Sequence, residues 1–360
     1  MAAVGGGVYL LLLAAVTTSS IWHVIGKLAL THGMDASVFL VYRLLLSAAL
    51  LLVGGKCVLN IELVMPQPEN RPRLVLVGIA TFLHSIAFLY GLQMTTPFLC
   101  AVMQPSVPVL VWLISVSIGA EKPVYRKAVG VVICSIGAMG AAAVSSHHTV
   151  AAEGTDFETG TLLIVLQCIF YACHLVFQQP LLQAMPPVQV TGMLYVIAGV
   201  ITFGVTVFRS LVFLLLPLIA PQKTEQIMSI RPPYWLLSRD PSAWLALLFC
   251  VLFASAFTHG VYSWASKKVK PTTVSVFLTV EPVTTTLVSL IITQSGLPSL
   301  AEALCAGLVV VGVFLVLKGG AGPSNEYEAV HEKAEEEFEL EARSGHSSPR
   351  RRGSPQEQVH

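Results

Sequence analysis

The strongest constraint on this chain is an internal repeat of apolar segments. Residues 91–137 (GLQMTTPFLCAVMQPSVPVLVWLISVSIGAEKPVYRKAVGVVICSIG) have a degraded copy at 265–312 (ASKKVKPTTVSVFLTVEPVTTTLVSLIITQSGLPSLAEALCAGLVVVG). In each copy a short polar link leads into an apolar run with an internal proline, a polar hairpin and a second apolar run. An internal repeat decides the architecture before any single residue does. A shift of 174 positions, with one inserted residue before the last pair, aligns Pro97, Pro108 and Pro123 with Pro271, Pro282 and Pro298.

The charges of the two copies differ in a way that predicts their orientation. In the first copy the link before the proline run is uncharged and the later hairpin is basic, whereas in the second copy the link is basic and the hairpin is not. Because Lys and Arg of short loops collect on the cytoplasmic side, we expect the two copies to cross a membrane in opposite directions. This is an inverted-topology repeat, which is the architecture of many secondary transporters. The basic residues are Lys122, Arg126 and Lys127 in the first copy and Lys267, Lys268 and Lys270 in the second.

Apolar runs long enough to span a bilayer occur along most of the chain. Of the 360 residues 54% are hydrophobic and 11% are charged, whereas soluble domains have about 25% charged residues. A spanning helix needs about 20 mostly apolar residues, and five such runs precede the segment 147–159, which we expect to be a polar loop between repeats, while five follow it. The fold class predicted is therefore an all-α polytopic membrane protein, with ten transmembrane helices as two inverted five-helix repeats, 1–146 and 160–318. The runs are 8–30, 36–55, 73–92, 97–118, 126–145, 160–181, 188–208, 242–265, 272–294 and 299–318.

The basic residues also orient the whole chain. With both termini in the cytosol, the basic residues of the short loops all lie inside. The loop 222–241 would lie outside although it carries three basic residues, but long loops obey the rule less well. The run LVFLLLPLIAP after Arg209 either extends the seventh span or lies at the interface. Residues 319–360 are predicted to form a disordered cytosolic tail. The host membrane is either the plasma membrane or an endomembrane.

Composition and motifs argue against several classes of function. The net charge of +1 and the lack of a basic, aromatic-rich patch predict no nucleic-acid partner. The seven cysteines show no metal-site spacing, and no phosphate loop or nucleophile–base pair is evident. We therefore expect neither an enzyme nor a bound metal or cofactor. The enzyme alternative is an intramembrane transferase or protease, and a further alternative is a non-transporting structural or receptor-like membrane protein.

Several segments together resemble a known family. An arginine, Arg43, lies early in the second span, in YRLLLSAALLL, and paired prolines lie in GLQMTTPFLCAVMQPSVPVL. A hairpin with a Glu followed by Gly is found in GAEKPVYRKAVGVVICSIG, and a Glu-Pro pair is found in FLTVEPVTTTLVSL. The pattern over residues 8–318 resembles the EamA-type carriers of the drug/metabolite transporter superfamily. The stretch YACHLVFQQPLLQAMPPVQVTGMLY is similar to their plant nodulin-like branch. One departure is that Gly296 aligns with Glu121, so the last hairpin lacks the expected acidic residue.

The resemblance implies ten helices in two five-helix repeats and a small-molecule cargo. Amino acids or related metabolites are the first expectation, and nucleotide sugars or sugar phosphates are the runner-up. A polyanion would favour several basic residues in the cavity, and only Arg43 is clearly deep in the membrane. Expected partners are therefore a small-molecule substrate, the lipid bilayer and either a coupling proton or a counter-substrate. The sequence is also compatible with a homodimer.

Charged and polar residues inside the apolar runs are the candidate site. Charges at membrane depth cost several kcal/mol and usually pair or face a polar cavity. Arg43 and Glu281 are therefore either structural, in an ion pair or as snorkelling residues near a helix end, or part of a substrate or coupling site. Intramembrane histidines could relay protons or be hydrogen-bonded packing residues. Prolines at corresponding places in two halves indicate a midplane binding site, or simple kinks. The predicted cavity residues are Arg43, His84, Gln104, Pro108, His174, His259, Glu281 and Pro282.

Overall fold

The fold is taken from a computed structural model, which describes residues 2–31, 35–58, 60–119, 124–153, 156–219, 241–269, 274–275, 277–292 and 298–318. All regular structure within these ranges is helical. The α-helices are α1 (Ala2–Thr31), α2 (Ala36–Cys57), α3 (Arg71–Met94), α4 (Pro97–Met103), α5 (Val107–Ser117), α6 (Tyr125–Glu153), α7 (Asp156–Phe177), α8 (Gln179–Ala184), α9 (Pro187–Ile219), α10 (Pro241–Phe249), α11 (Thr258–Lys268), α12 (Glu281–Ile292) and α13 (Leu300–Lys318).

Several of these helices follow one another along the chain with only a short non-α-helical segment between them. A 3₁₀ turn, Gln104–Ser106, separates α4 from α5, and a π-helical segment, Cys250–Phe257, joins α10 to α11. Another 3₁₀ turn, Phe277–Val280, leads into α12. The break between α4 and α5 follows from Pro105 and Pro108, because proline has no N–H for the i to i−4 hydrogen bond and its ring clashes with the preceding turn.

Seven helical stretches of the described residues are long and apolar enough to cross a membrane. Two shorter apolar helices, Glu281–Ile292 and Leu300–Gly312, accompany them. The chain is thus an all-helical protein with several membrane-spanning helices, whereas the count of ten stays a prediction. The seven stretches are Gly7–Leu30, Ala36–Cys57, Pro68–Met94, Pro97–Ser117, Phe157–Ala184, Pro187–Leu215 and Pro241–Lys268.

The polar loop expected at 147–159 is wrong in its extent. Helix α6 continues to Glu153 and α7 begins at Asp156, so only 154–155 lie outside the described residues. The segment is polar, but it has no glycine or proline before Gly154, and polar residues alone do not end a helix. The run after Arg209 extends the seventh helix, because α9 continues to Ile219. The predictions for Lys122, Lys270, Gly296, the loop 222–240 and the tail 319–360 fall outside the described residues.

Helices α6 and α13 approach each other at backbone contact. A β-carbon on Gly137 of α6 would lie 2.7 Å from the Val309 nitrogen and 2.8 Å from the Cys305 carbonyl oxygen. A β-carbon on Gly312 of α13 would lie 2.5 Å from the Cys134 nitrogen. Small residues let two membrane helices come this close. Any larger side chain at either glycine would force the pair apart.

The α6–α13 contact is also reciprocal. Adding 175 to a position on α6 gives its counterpart on α13, and the contact of one glycine maps onto the contact of the other. The partner number falls along α13 as it rises along α6, so the two helices run antiparallel. Reciprocal contacts are those that a two-fold axis produces, and an axis that relates two antiparallel helices is perpendicular to them. The equivalent positions are 130, 134 and 137 on α6 and 305, 309 and 312 on α13.

The other helices also pack between the two halves of the chain. Helix α2 packs on α9, where a β-carbon on Gly199 would lie 2.6 Å from the Leu45 side chain and one on Gly192 would lie 2.7 Å from the Leu52 side chain. Helix α3 packs on α7, and α1 packs on α11 and α12. Most of the buried apolar side chains form one continuous core along these contacts. The polar residues of the candidate site lie within this core.

Candidate functional site

A cavity of about 50 Å³ lies among helices from both halves of the chain. Since a buried water needs roughly 10–15 Å³ of such space, the cavity has room for about three to five waters. Most of its lining side chains are polar or aromatic. The lining residues are Ser19, Trp22 and His23 from α1, Arg43 from α2, His84, Ser85 and Phe88 from α3, Gln104, Gln167 and Tyr171, Ala254, His259, Tyr262, Leu278 and Glu281.

Arg43 supplies a positive charge to the cavity wall. It lies two turns into α2 and is only 5% exposed. Its Nε donates to the Ser255 hydroxyl at 2.8 Å, and its guanidinium carbon lies 5.2 Å from the centre of the Trp22 ring. Hydrogen bonding and cation–π stacking both offset the loss of hydration of a buried guanidinium.

Glu281 supplies a carboxyl group at the first position of α12. It is 1% exposed, and its Oε2 accepts no hydrogen bond from any described residue. The nearest ionisable partner is His23, whose Nε2 lies 3.9 Å from Glu281 Oε2. One interpretation of the sequence was an ion pair between Arg43 and Glu281. This ion pair is not formed among the described residues. The reason is that α1 packs on α12 and brings His23 to the carboxylate instead.

Two of the predicted histidines, His84 and His259, line the cavity, and their ring centres are 6.2 Å apart. His174 lies behind them, with its ring centre 5.6 Å from that of His84. Its Nδ1 is 2.9 Å from Thr81 Oγ1, and the Thr81 hydroxyl also lies 2.8 Å from the Val77 carbonyl, to which it donates. The Thr81 oxygen therefore accepts from His174, which assigns the ring proton to Nδ1.

Four buried polar atoms of the cavity wall have no hydrogen-bond partner among the described residues. They are Trp22 Nε1, His84 Nε2, Tyr262 OH and Glu281 Oε2. Buried polar groups are nearly always hydrogen-bonded in native proteins. These atoms therefore provide three donor or donor–acceptor groups and one carboxylate oxygen for water or for a polar ligand.

Of the remaining predicted residues, Gln104 lines the cavity, whereas the two prolines do not. Gln104 donates through Nε2 to Gln167 Oε1 at 3.3 Å. Pro108 and Pro282 are both buried. Pro282 directly follows Glu281, and Pro108 cannot donate to the Gln104 carbonyl.

The sequence reasoning missed the aromatic part of the wall. Trp22, Tyr171 and Tyr262 line the cavity together with the polar residues. A signal was present for Tyr262, because it follows His259, which also lines the cavity, by three positions. Residues three apart share a face of a helix, so a polar residue in an apolar run identifies its aromatic neighbour as well. No group of three or more potential metal ligands occurs among the described residues.

A second cluster of charges lies outside the cavity lining. Arg209 of α9 donates to the Asp35 carboxylate, and through Nη1 it donates to the Tyr90 hydroxyl at 2.9 Å. Asp35 also caps α2, accepting from the backbone nitrogens of Ser37 at 3.0 Å and Val38 at 3.1 Å. The cluster joins α9 to the beginning of α2 and the end of α3.

The apolar helices define a multi-pass membrane protein with a buried polar cavity among them. The model of the EamA-like transporter family matches residues 6–143 and 158–318. The chain therefore belongs to the EamA-like transporter family and contains two EamA repeats, as the sequence indicated. Membership makes it a membrane transporter of small molecules. A crystal structure with 16% sequence identity matches with a TM-score of 0.58, over 86% of this chain and 97% of that chain, and it supports the fold alone.

Proposed function

We propose that this protein carries a small zwitterionic metabolite across a membrane by alternating access, with amino acids as the first class of substrate. The observation that carries the proposal is the pair Arg43 and Glu281. They are a guanidinium and a carboxyl group, both buried on the wall of one cavity and not paired with each other. A zwitterion brings both missing partners, a carboxylate for the guanidinium and an ammonium for the carboxylate.

The remaining lining residues suit the rest of such a substrate. Arg43 is held by Ser255 and Trp22, so its planar guanidinium is oriented before a carboxylate arrives. Phe88, Tyr171 and Tyr262 provide apolar ring faces for a side chain. The unpaired His84 and Tyr262 atoms provide hydrogen bonds that fix its orientation. A cavity with a few polar groups and aromatic walls is typical of sites for small organic molecules.

The runner-up cargo is a nucleotide sugar or a sugar phosphate. A polyanionic substrate is expected to meet several lysines or arginines, and Arg43 is the one such residue among the described residues that line the cavity. The cavity also contains Glu281, which repels phosphate. Both observations favour a zwitterion over a polyanion.

Alternating access rests on the proposal that the two repeats have inverted topology. The reciprocal, antiparallel contact of α6 with α13 supports a two-fold axis in the plane of the membrane. The cavity then lies between two halves that rock against each other. With both termini in the cytosol, the basic hairpin of the first repeat and the basic link of the second lie on the cytosolic side. The proposal holds for the plasma membrane and for an endomembrane, and for a monomer or a homodimer.

Counterflow in vesicles tests this function. The purified full-length chain is reconstituted, the vesicles are filled with a mixture of the unlabelled common amino acids, and each labelled amino acid is added outside at equal pH. We expect accumulation of at least one of them. Parallel vesicles filled with nucleotide sugars or sugar phosphates serve as the matched control. Exchange in those vesicles alone would favour the runner-up, and exchange in neither would favour a non-transporting membrane protein.

A further inference from the structure

Two helix contacts between the repeats, here called seams, flank the cavity. They are formed by equivalent helices of the internal repeat. The shift that aligns Pro108 with Pro282 makes α12 the counterpart of α5, and α1 and α7 begin the first and the second half. In one seam α1 packs on α12, and in the other α7 packs on α4 and α5. Side chains from both seams line the same cavity. Equivalent places in the two halves can therefore be compared directly.

The seam between α1 and α12 is held by side chains that can exchange protons. The Ser20 and Thr284 hydroxyls hydrogen-bond to each other. His23 Nδ1 lies 3.3 Å from Thr285 Oγ1, and His23 Nε2 lies 3.9 Å from Glu281 Oε2. The imidazole and the carboxylate come from different repeats, so the protonation of this pair bears directly on the contact between the repeats.

Among the described residues, the corresponding seam contains no such pair. There Gln104 donates to Gln167 at 3.3 Å, and the Cys168 thiol lies 3.5 Å from the Met103 carbonyl. Amide side chains neither gain nor lose protons in the physiological range. The two seams thus have the same place in the architecture but different chemistry.

We propose that His23 and Glu281 form the binding site for one coupling proton, located between the two repeats. The proposal rests on the transport function above, which supplies the cargo that the proton drives. With the proton on Glu281, both side chains are neutral and the seam is stable. With the proton on His23, the two form an ion pair. Without a proton, the carboxylate is left buried and unpaired, a costly state, which favours opening of the seam or entry of the ammonium group of a substrate.

Other titratable groups face the pair from the surrounding helices, and they define the competing assignments. Arg43 on α2 donates through Nε to the Ser255 hydroxyl. His84 on α3 and His259 on α11 are the other cavity imidazoles, and Tyr171 and Tyr262 are the phenols. Cys100 on α4 lies 3.4 Å from the Thr95 hydroxyl. Only His23 combines an imidazole with a direct approach to Glu281 among the described residues.

Infrared difference spectroscopy tests the site without any substrate. The full-length protein in lipid is stepped through pH while the carbonyl band of protonated carboxyl groups is followed. We expect one buried carboxyl to lose its proton in the wild type, and we expect this signal to be absent from Glu281→Gln. The matched control is Glu302→Gln, which removes a half-buried carboxylate that accepts from the Ser299 backbone and should leave the signal unchanged.

The role of His23 is tested in the same measurement. In His23→Gln the midpoint of the carboxyl signal should move by about one pH unit or more, because groups this close titrate as a pair. His174→Gln removes a buried histidine that does not approach Glu281, and it should leave the midpoint in place. An unchanged midpoint in His23→Gln, or an equal shift in His84→Gln, would overturn the pairing. If Glu281→Gln does not fold, the proton site is tested by comparing the carboxyl midpoints of three other variants, His23→Gln, His84→Gln and His174→Gln.

Transport separates this proposal from the function on which it rests. In the wild type we expect a pH gradient to drive net accumulation of the amino acid that shows counterflow. In His23→Gln the accumulation should fall about tenfold, while counterflow at equal pH is reduced far less, since exchange needs no net proton movement. Absence of counterflow in the wild type would contradict the transport of amino acids but not the proton site. Equal losses of both activities in His23→Gln would contradict the proton site alone.

Discussion

Arg43 shows how one residue is made tolerable inside a membrane protein. A guanidinium at membrane depth is costly, and the fold offsets the cost with the Ser255 hydroxyl on one side and the Trp22 ring on the other. Both contacts depend on the planar shape of the guanidinium and not only on its charge. The side chain is therefore oriented toward the cavity before a substrate enters.

Arg43→Lys keeps the charge but loses the planar contacts. We expect the KM for the proposed amino-acid substrate to rise about tenfold, which corresponds to ~1.4 kcal/mol of binding free energy. The measurement is initial counterflow rate against substrate concentration in vesicles. Arg209→Lys is the matched control, because Arg209 is a partly buried arginine that does not line the cavity. Equal changes of KM in Arg43→Lys and Arg209→Lys would show that Arg43 acts on folding and not on substrate binding.

Individual residues differ in how far the sequence predicts them. Arg43 and Glu281 could be selected because charge in an apolar run is rare and costly. Their partners could not be selected, since the approach of His23 to Glu281 depends on the packing of α1 on α12. Nothing in the local sequence of α12 specifies that packing. For the same reason the sequence could not tell His259, which lines the cavity, from His174, which lies behind it.

At the scale of the elements, glycine determines how α6 and α13 pack. The backbones are so close at Gly137 and Gly312 that a β-carbon on either would overlap the facing helix. The contact is with backbone atoms, which cannot rotate away as a side chain can. The two glycines also occupy equivalent positions of the internal repeat. Their substitutions should therefore have similar effects.

We expect Gly137→Ala and Gly312→Ala each to lower the stability of the folded protein by about 1–3 kcal/mol, the usual cost of overpacking. Thermal unfolding of the purified variants in detergent measures the loss. Gly307→Ala is the matched control, because Gly307 lies on the same helix α13 with no atom near its Cβ position, and it should be neutral or slightly stabilising. A destabilisation confined to one of the two glycines would argue against the reciprocal contact.

The boundaries of elements were less predictable than their existence. The apolar runs located most helices within a few residues, because about 20 apolar residues are needed to span a bilayer. The predicted loop after the fifth span began too early, because polar residues were taken to end the helix. Residues 147–153 contain no helix-breaking residue, and α6 continues through them. The π-helical segment Cys250–Phe257 had no signal in the sequence.

At the scale of the whole molecule, two independent observations support opposite orientations of the repeats. One is the shift of the basic residues from the hairpin in the first copy to the link in the second copy, which is a property of the sequence. The other is the reciprocal, antiparallel packing of α6 and α13, which is a property of the structure. An even number of spans per half would place both copies in the same orientation, so the count of helices and their direction are linked.

Cysteine accessibility tests this architecture directly. In a cysteine-free background, Arg126→Cys and Lys267→Cys place single thiols next to the two basic segments, where both native side chains are exposed. We expect both to react from the cytosolic side with a membrane-impermeant maleimide, because short basic loops stay in the cytosol.

Gly296→Cys, in the uncharged hairpin of the second repeat, should react only from the opposite side. Permeabilised membranes provide the control, since all three thiols should then react. Reaction of all three from the same side of intact membranes would contradict the inverted repeat. Reaction of Arg126→Cys and Lys267→Cys from opposite sides would mean that an odd number of crossings separates them, and that the ten-helix count is wrong.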